Sequence, residues 1–169
     1  MNAEKFPKIR PVTLADREMT VAFFDQMGGE SRSFFNRADG NRNAMLNCFD
    51  TPNLNRRNFI AVETMPDGTE RIAGLVFLWA LNTKTPWLGI AVAEDWKGKH
   101  LGRELIAYAR EYCLQHEKCG IFLTTHMANL RGQGLYTRCG FQHLGTEKSG
   151  ELLFFMPFAD KAPTEDGTI

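Results

Sequence analysis

"AVAEDWKGKHLGRELI", residues 91–106, is the stretch on which the fold turns. An apolar run stops at Ala93, two glycines follow among lysines and a histidine, and apolar residues then recur at helical spacing. Read with its flanks, this is a strand entering a helix through a glycine-bearing loop. The first amides of such a helix have no intrahelical acceptor, and together with the helix dipole they favour an anion. Gly98 and Gly102 carry no Cβ, so a bulky group could approach the backbone closely. Lys97, Lys99 and Arg103 add local positive charge, and each charge-assisted hydrogen bond to a phosphate oxygen is worth about 1.5–3 kcal/mol. Taken alone, the stretch also reads as a solvated turn ahead of a helix.

Upstream, "NFIAVETM" leads through the turn residues Pro66, Asp67 and Gly68 into "RIAGLVFLWAL", and "NTKTP" separates that run from "WLGIAV". Three strands joined by short turns predict an antiparallel meander. Downstream, Leu101, Leu105, Ile106, Ala109, Tyr112 and Cys113 mark one face of a helix of about four turns. "CGIFLTTH" reads as a buried strand and "ANLRGQGLYTRC" as a short helix. "FQHLGT" and "ELLFFMPF" read as a hairpin about "KSG". Ahead of the meander, Thr13 and Asp16 resemble a helix start, with Leu14, Val21 and Phe24 on one face and Gly28–Gly29 as its end. The polar stretch that follows predicts a short helix near Ala44 to Phe49, bounded by Pro52. The expected order is two helices, three strands, helix, strand, helix and two strands. That is one α+β domain with a mixed sheet over residues 1–160, with residues 161–169 as a disordered tail.

A chain of 169 residues suits a single domain that buries roughly 70% of its unfolded surface. Twenty basic and twenty acidic residues cancel, so no global field points to nucleic acid or to an anionic membrane. The four cysteines form no CxxC pair and no histidines cluster at ligand spacing, so no metal is expected. The N-terminus lacks the apolar core of a signal peptide. The longest apolar run, from Ile72, is about half a membrane span. A soluble, cytoplasmic protein with reduced thiols is the expectation.

The anion is narrowed by exclusion. No Lys-Ser or Lys-Thr follows the second glycine, as a phosphate-binding GxxxxGK[ST] loop requires. The loop also follows an antiparallel meander, where a dinucleotide GxGxxG loop opens a first βαβ unit.

About thirty residues further on, "NLRGQGLYTRCGF", residues 129–141, sets Asn129, Gly132, Leu135, Tyr136, Gly140 and Phe141 in a fixed pattern. This resembles the GNAT superfamily of acyl-CoA-dependent N-acetyltransferases, whose signature helix reads approximately N-x-x-A-x-x-L-Y-x-x-x-G-F. The family's cofactor loop, approximately V-x-P-x-x-[QR]-G-x-G-[IL]-G, is matched in register by Val92, Gly98, Leu101 and Gly102. Three departures stand out. Lys97 replaces Gln or Arg, and keeps charge without planar donors. His100 replaces a frequent Gly, which implies that no glycine-restricted conformation is needed there. Gly132 replaces Ala, weakening the helix by about 1 kcal/mol.

The resemblance implies a single-domain α+β fold with a mixed, mostly antiparallel sheet of roughly six to seven strands flanked by about four helices. It implies acetyl-CoA as co-substrate, with no metal. Ile90 and Val92 would pair with the pantetheine arm as an added strand does. Lys97, Gly98, Lys99, His100, Leu101, Gly102 and Arg103 would bind the pyrophosphate. Asn129 would hold the cofactor arm, or cap its helix, or both. Tyr136 would lie near the thioester sulfur and act as general acid to the departing thiolate.

Transfer also needs a neutral amine. A lysine-like amine costs roughly 4–5 kcal/mol to deprotonate at pH 7 and an α-amine about 1 kcal/mol. "WLGIAV" carries no carboxylate, which leaves His126, at the end of "IFLTTH", as the candidate base, ahead of Glu63, Glu94 and Asp95. The loop between the first two helices offers Phe34 and Phe35 as walls and Arg32, Arg37 and Arg42 as anion partners, with Phe34, Arg37 and Arg42 as the acceptor candidates. The expected substrate is a small-molecule amine. A protein N-terminus or lysine is the alternative acceptor, and an acyl-CoA sensor without turnover is the alternative class. Strand edges in this fold often pair, so a homodimer is a reasonable expectation.

Overall fold

In the computed structural model, residues 5–35 and 39–159 are described. The chain opens on a strand, β1 (Lys8–Pro11), followed by three helices, α1 (Arg17–Gln26), α2 (Gly29–Phe35) and α3 (Gly40–Asp50). The meander comprises β2 (Arg56–Thr64), β3 (Glu70–Trp79) and β4 (Trp87–Val92). Then come α4 (Leu101–Gln115), β5 (Gly120–Thr125), α5 (Leu130–Arg138), β6 (Gln142–Thr146) and β7 (Leu152–Pro157). None of the described helices is long and apolar enough to cross a membrane.

The start of the first helical segment is fixed by charge. The Asp16 carboxylate accepts from the Thr13 amide at 2.7 Å and from two nitrogens of Arg10, each at 2.7 Å. Asp16 is buried, and the Arg10 guanidinium holds its carboxyl down at about 2. Gly28 and Gly29 end α1, but Gly29, with φ near 53°, also opens α2, so three helices precede the meander where two were expected. β1 was likewise not anticipated. It has four residues, with a proline at its end, and so carries too little alternation to register.

The sheet runs β1-β2-β3-β4-β5-β7-β6, antiparallel throughout except between β4 and β5. Two layers of core follow from the alternation of its side chains. On one face Val76, Leu78, Leu88 and Leu123 pack with Leu101, Leu105, Ile106 and Ala109 of α4 and with Tyr136 of α5. On the other, Ile60, Val62, Leu75 and Phe77 pack with Phe23, Phe24 and Met45 of α1 and α3. β3 approaches α4 closely, since a Cβ at Gly74 would lie 3.0 Å from a Leu105 methyl.

Candidate active site

β4 and β5 share a single registered pair, Trp87 with Phe122. They are joined at their beginnings, where Cys119 N–H donates to Lys84 O at 2.7 Å and Phe122 N–H to Pro86 O at 2.9 Å. Beyond that pair the ladder of β4 runs to β3 and that of β5 to β7. The two facing edges therefore part toward their C-terminal ends and open a split in the sheet. Main-chain groups directed into such a split want an external partner.

The loop of residues 93–100 sits at the mouth of this split and is tied down on both sides. Trp96 is buried and its indole N–H donates to Glu63 at 2.9 Å, while Arg71 bridges Glu63 and Asp95. Lys97 Nζ is held by Glu94 at 2.7 Å and by Ser31 Oγ at 2.5 Å. The Lys97 ammonium, and the Ser31 hydroxyl that donates to Glu94 at 2.7 Å, hold the Glu94 carboxyl below its ordinary value. Lys97 thus fastens the loop to α2, with its charge partly neutralised. The Lys99 ammonium lies 5.2 Å over the Trp96 ring, Arg103 is exposed, and Leu101 points into the core.

The two glycines of the loop have different reasons. Gly98 has φ near 76° with open space where a Cβ would stand, so its need is conformational. A Cβ at Gly102 would lie 2.8 Å from a Leu135 methyl, so this glycine lets α5 dock on α4 rather than opening the backbone to a ligand. His100, immediately before α4, has φ 68° and ψ 4°. The inference that this position needs no glycine-like conformation is corrected: the left-handed conformation is present, and a histidine bears it, as His does more readily than most residues.

At the other wall of the split, Asn129 caps α5 by accepting from Gly132 N–H at 3.1 Å, and its amide donates to the Thr125 hydroxyl at 3.0 Å. A Cβ at Gly132 would lie 2.4 Å from the Asn129 nitrogen, which accounts for glycine here in place of alanine. Burial pushes the Tyr136 phenol up to about 12, with the nearby Thr125 hydroxyl acting more weakly in the opposite direction.

A cavity of about 500 Å3 passes through the split. Leu88, Ile90, Leu123, Thr125, Asn129 and Tyr136 line it on the α4–α5 side. Phe34, Phe35, Asn41, Phe77, Trp79 and Gly89 line it on the α1–α3 side. Two charged residues complete the wall among those described, Arg56 and Glu151, and neither was anticipated. Arg56 had a signal, since it is in strand phase with the buried Ile60 and Val62. Glu151 had none locally, because it reaches the cavity through the long-range pairing of Leu152 with Thr125.

The remaining sequence candidates are dispersed. Phe34 stacks on the His126 ring, centroids 5.0 Å apart, across the mouth of the cavity. His126 is exposed and lies outside the lining, and its Nδ1 accepts the Ala128 N–H at 3.0 Å. Glu63, Glu94 and Asp95 are engaged in the loop anchors above. Arg42 lies 3.7 Å from Asp25 and links α3 to α1, away from the lining. Arg37 and the tail beyond residue 159 lie outside the described residues. Val92 is half-buried at the end of β4.

A carrier with a long amide-bearing arm and a pyrophosphate at its far end suits a sheet that parts in this way beside a helix N-terminus. That is the architecture of the acyl-coenzyme A acyltransferases. Residues 17–141 match the model of the acetyltransferase (GNAT) family, and the chain belongs to that family of acetyl-CoA-dependent N-acetyltransferases. Its fold is similar to that of a GNAT-family acetyltransferase from Streptococcus pneumoniae (20% identity, 90% of this chain and 99% of that one, TM-score 0.71). It is also similar to the PaiA N-acetyltransferase from Thermoplasma acidophilum in complex with coenzyme A (17% identity, 89% and 98%, TM-score 0.68). A third similar structure is a chimera of the spermidine N-acetyltransferase from Vibrio cholerae (17% identity, 89% and 94%, TM-score 0.68). No curated protein matches the chain in sequence.

Proposed function

We propose that the chain moves an acetyl group from acetyl-CoA directly to a primary amine on a small molecule. The observation that carries this reading is that one cavity is lined both by the open edge of β4, at Leu88 and Ile90, and by Tyr136 with the hydrogen-bonded pair Asn129 and Thr125. Its volume, about 500 Å3, suits a small acceptor beside the end of the arm.

Acetyl-CoA supplies the acyl group as a thioester. The main chain at Ile90 and Val92 would bond the arm, and the amides of residues 98 to 103 would face the pyrophosphate. The side chains of Lys99 and Arg103 would add charge there, and that of Lys97 less, because Glu94 holds it. His100 and Leu101 would contribute through their amides. The amine nitrogen forms the new bond to the acyl carbon, the carbon–sulfur bond breaks, and the ammonium proton leaves to solvent or a base.

Tyr136 would serve the leaving sulfur. With its phenol at about 12, full proton transfer to a thiolate whose acid titrates near 8.5 runs uphill by about 5 kcal/mol. Tyr136 therefore acts first as a fixed hydrogen-bond donor to the charge developing on sulfur, in the manner of an oxyanion hole. His126 would have to surrender the Ala128 N–H before accepting a proton at Nδ1. Glu151, in the cavity wall, is the better-placed acceptor. An α-amine needs little help, since its neutral form costs only about 1 kcal/mol at pH 7.

The test is release of free thiol from acetyl-CoA across an amine panel that includes spermidine, amino acids and peptide N-termini, beside calorimetric titration with coenzyme A. Turnover on a small amine supports the reading. Tight coenzyme A binding without turnover on any amine would make the chain a sensor, and preference for peptides would make it a protein acetyltransferase.

A further inference from the structure

Arg56 opens β2 with its side chain on the α1–α3 face of the sheet, 8% exposed, within the wall of the cavity. Its guanidinium carbon lies 4.0 Å from the centroid of the Phe77 ring, and its Nε donates to Asn58 Oδ1 at 2.8 Å. These contacts fix the plane of the group. Its Nη2 is buried and has no hydrogen-bond partner among the described residues. No salt bridge reaches it within that set.

The platform beneath it is itself built. Phe77 lies flat against β4 because position 89 is glycine; a Cβ there would stand 2.1 Å from the ring. An arginine side chain cannot shed its charge, and a buried cation without a counter-charge is costly unless something else supplies one. Folding alone gives no reason to hold a guanidinium in the wall of a cavity with one of its donors unpaired. A ligand carboxylate gives one, because it can accept from the guanidinium by a charge-assisted bond and neutralise the group.

The second charge in the cavity wall has the opposite sign and the opposite role. Glu151 stands at the entry to β7, one residue before Leu152, which pairs with Thr125 at the end of β5. One cation and one anion in the wall match a molecule that carries a carboxylate and an ammonium at its two ends. An acceptor that is purely cationic would bring like charge toward Arg56.

We propose that the acceptor is an amine bearing a carboxylate, of the amino-acid type, and that Arg56 receives the carboxylate while the amine faces Glu151 and Tyr136. The proposal rests on the acetyl-transfer reading for what happens to the amine, but the anion receptor is a binding site in its own right. Arg56 then sets specificity through KM.

The experiment follows binding and turnover separately. Thermal unfolding of the coenzyme A-saturated protein is measured with a panel of free α- and ω-amino acids, with their primary amides and with the corresponding decarboxylated amines. Thiol release from acetyl-CoA is measured on the same panel. At least one free acid should raise the unfolding midpoint where its amide does not, and its kcat/KM should exceed the amide's by at least about tenfold, since a site built to pair a group rejects the analogue lacking it. Arg56→Met should abolish both differences, by a rise in KM, without weakening coenzyme A binding. Arg56→Lys, which keeps the charge but not the planar fork, should retain part of each difference. The comparison of acids with amides in the unaltered protein decides the matter even if Arg56→Met does not fold. Amides or decarboxylated amines that bind as well as the acids would overturn the proposal, as would a panel in which no acid binds. Acids that bind through Arg56 without being acetylated would leave the receptor standing and remove the transfer reading. Efficient acetylation of amines with no preference for a carboxylate would do the reverse.

Discussion

The Thr125 hydroxyl accepts a hydrogen bond from the Asn129 side-chain amide at 3.0 Å, so the cap of α5 and the end of β5 hold one another. The same hydroxyl lies near the Tyr136 phenol, and all three residues line the cavity. Asn129→Ala removes the cap and one partner of Thr125 together. It should cost about 1 kcal/mol of stability, a fall of about 2–4 °C in Tm for a chain of this length, and should lower kcat as Thr125 turns. Calorimetry and thiol release check both, and an unchanged Tm would show that the cap bears no weight.

Tyr136→Phe keeps the ring in the core and removes the donor. Turnover should fall by about 100-fold, the lower end of what a positioned acid contributes, with coenzyme A affinity unchanged in calorimetry. Because burial pushes the phenol up to about 12, it stays protonated through the usual assay range. The kcat profile should thus show no alkaline limb from this group below about pH 10. A limb near pH 8 or 9 that vanishes in Tyr136→Phe would contradict this assignment.

His100→Gly relieves a left-handed residue at the start of α4. Stability should rise by about 1 kcal/mol, read as a higher midpoint in urea. Affinity for coenzyme A should hold within about twofold, since the amides keep their orientation. A loss of affinity by an order of magnitude would mean that the imidazole itself touches the ligand.

Acid stability should reveal the Arg10–Asp16 pair. In the folded chain Asp16 titrates at about 2, below its ordinary 3.8. The folded state therefore gives up this proton more readily than the unfolded one. The stabilisation, about 2 kcal/mol, is complete above about pH 4 and fades as the pH falls through 2. Asp16→Asn should lose that amount at neutral pH and flatten the urea midpoint between pH 4 and 2. An unaltered slope there would assign the acid sensitivity to other carboxylates.

The helices α4 and α5 were far more legible in the sequence than the charged walls of the cavity, for a physical reason. α4 announces itself because Leu101, Leu105, Ile106, Ala109 and Cys113 all fall on one buried face, and Tyr136 is carried by a local pattern around it. Whether the Arg56 guanidinium finds a partner is a matter of three dimensions, settled by Phe77 and Asn58 on a neighbouring strand and on its own. Glu151 is invisible for the same reason, as is the division of labour between Gly98 and Gly102, one serving a backbone angle and the other a helix contact. Lys97 and Glu94 both lie in the loop as read, but their mutual ion pair, which moderates the lysine's charge, depends on rotamers no pattern encodes.

The lone registered pair between β4 and β5 carries a mechanical consequence. The sheet is two slabs, β1-β2-β3-β4 and β5-β7-β6, stitched at one end and left to part at the other. A ligand arm bound in the gap would take the place of an interior strand, and the stiffness of this protein would then be shared with it. Amides of residues 88–92 and 123–125 should therefore exchange with solvent more slowly once the gap is filled, and heat should prise the slabs apart before it melts either one.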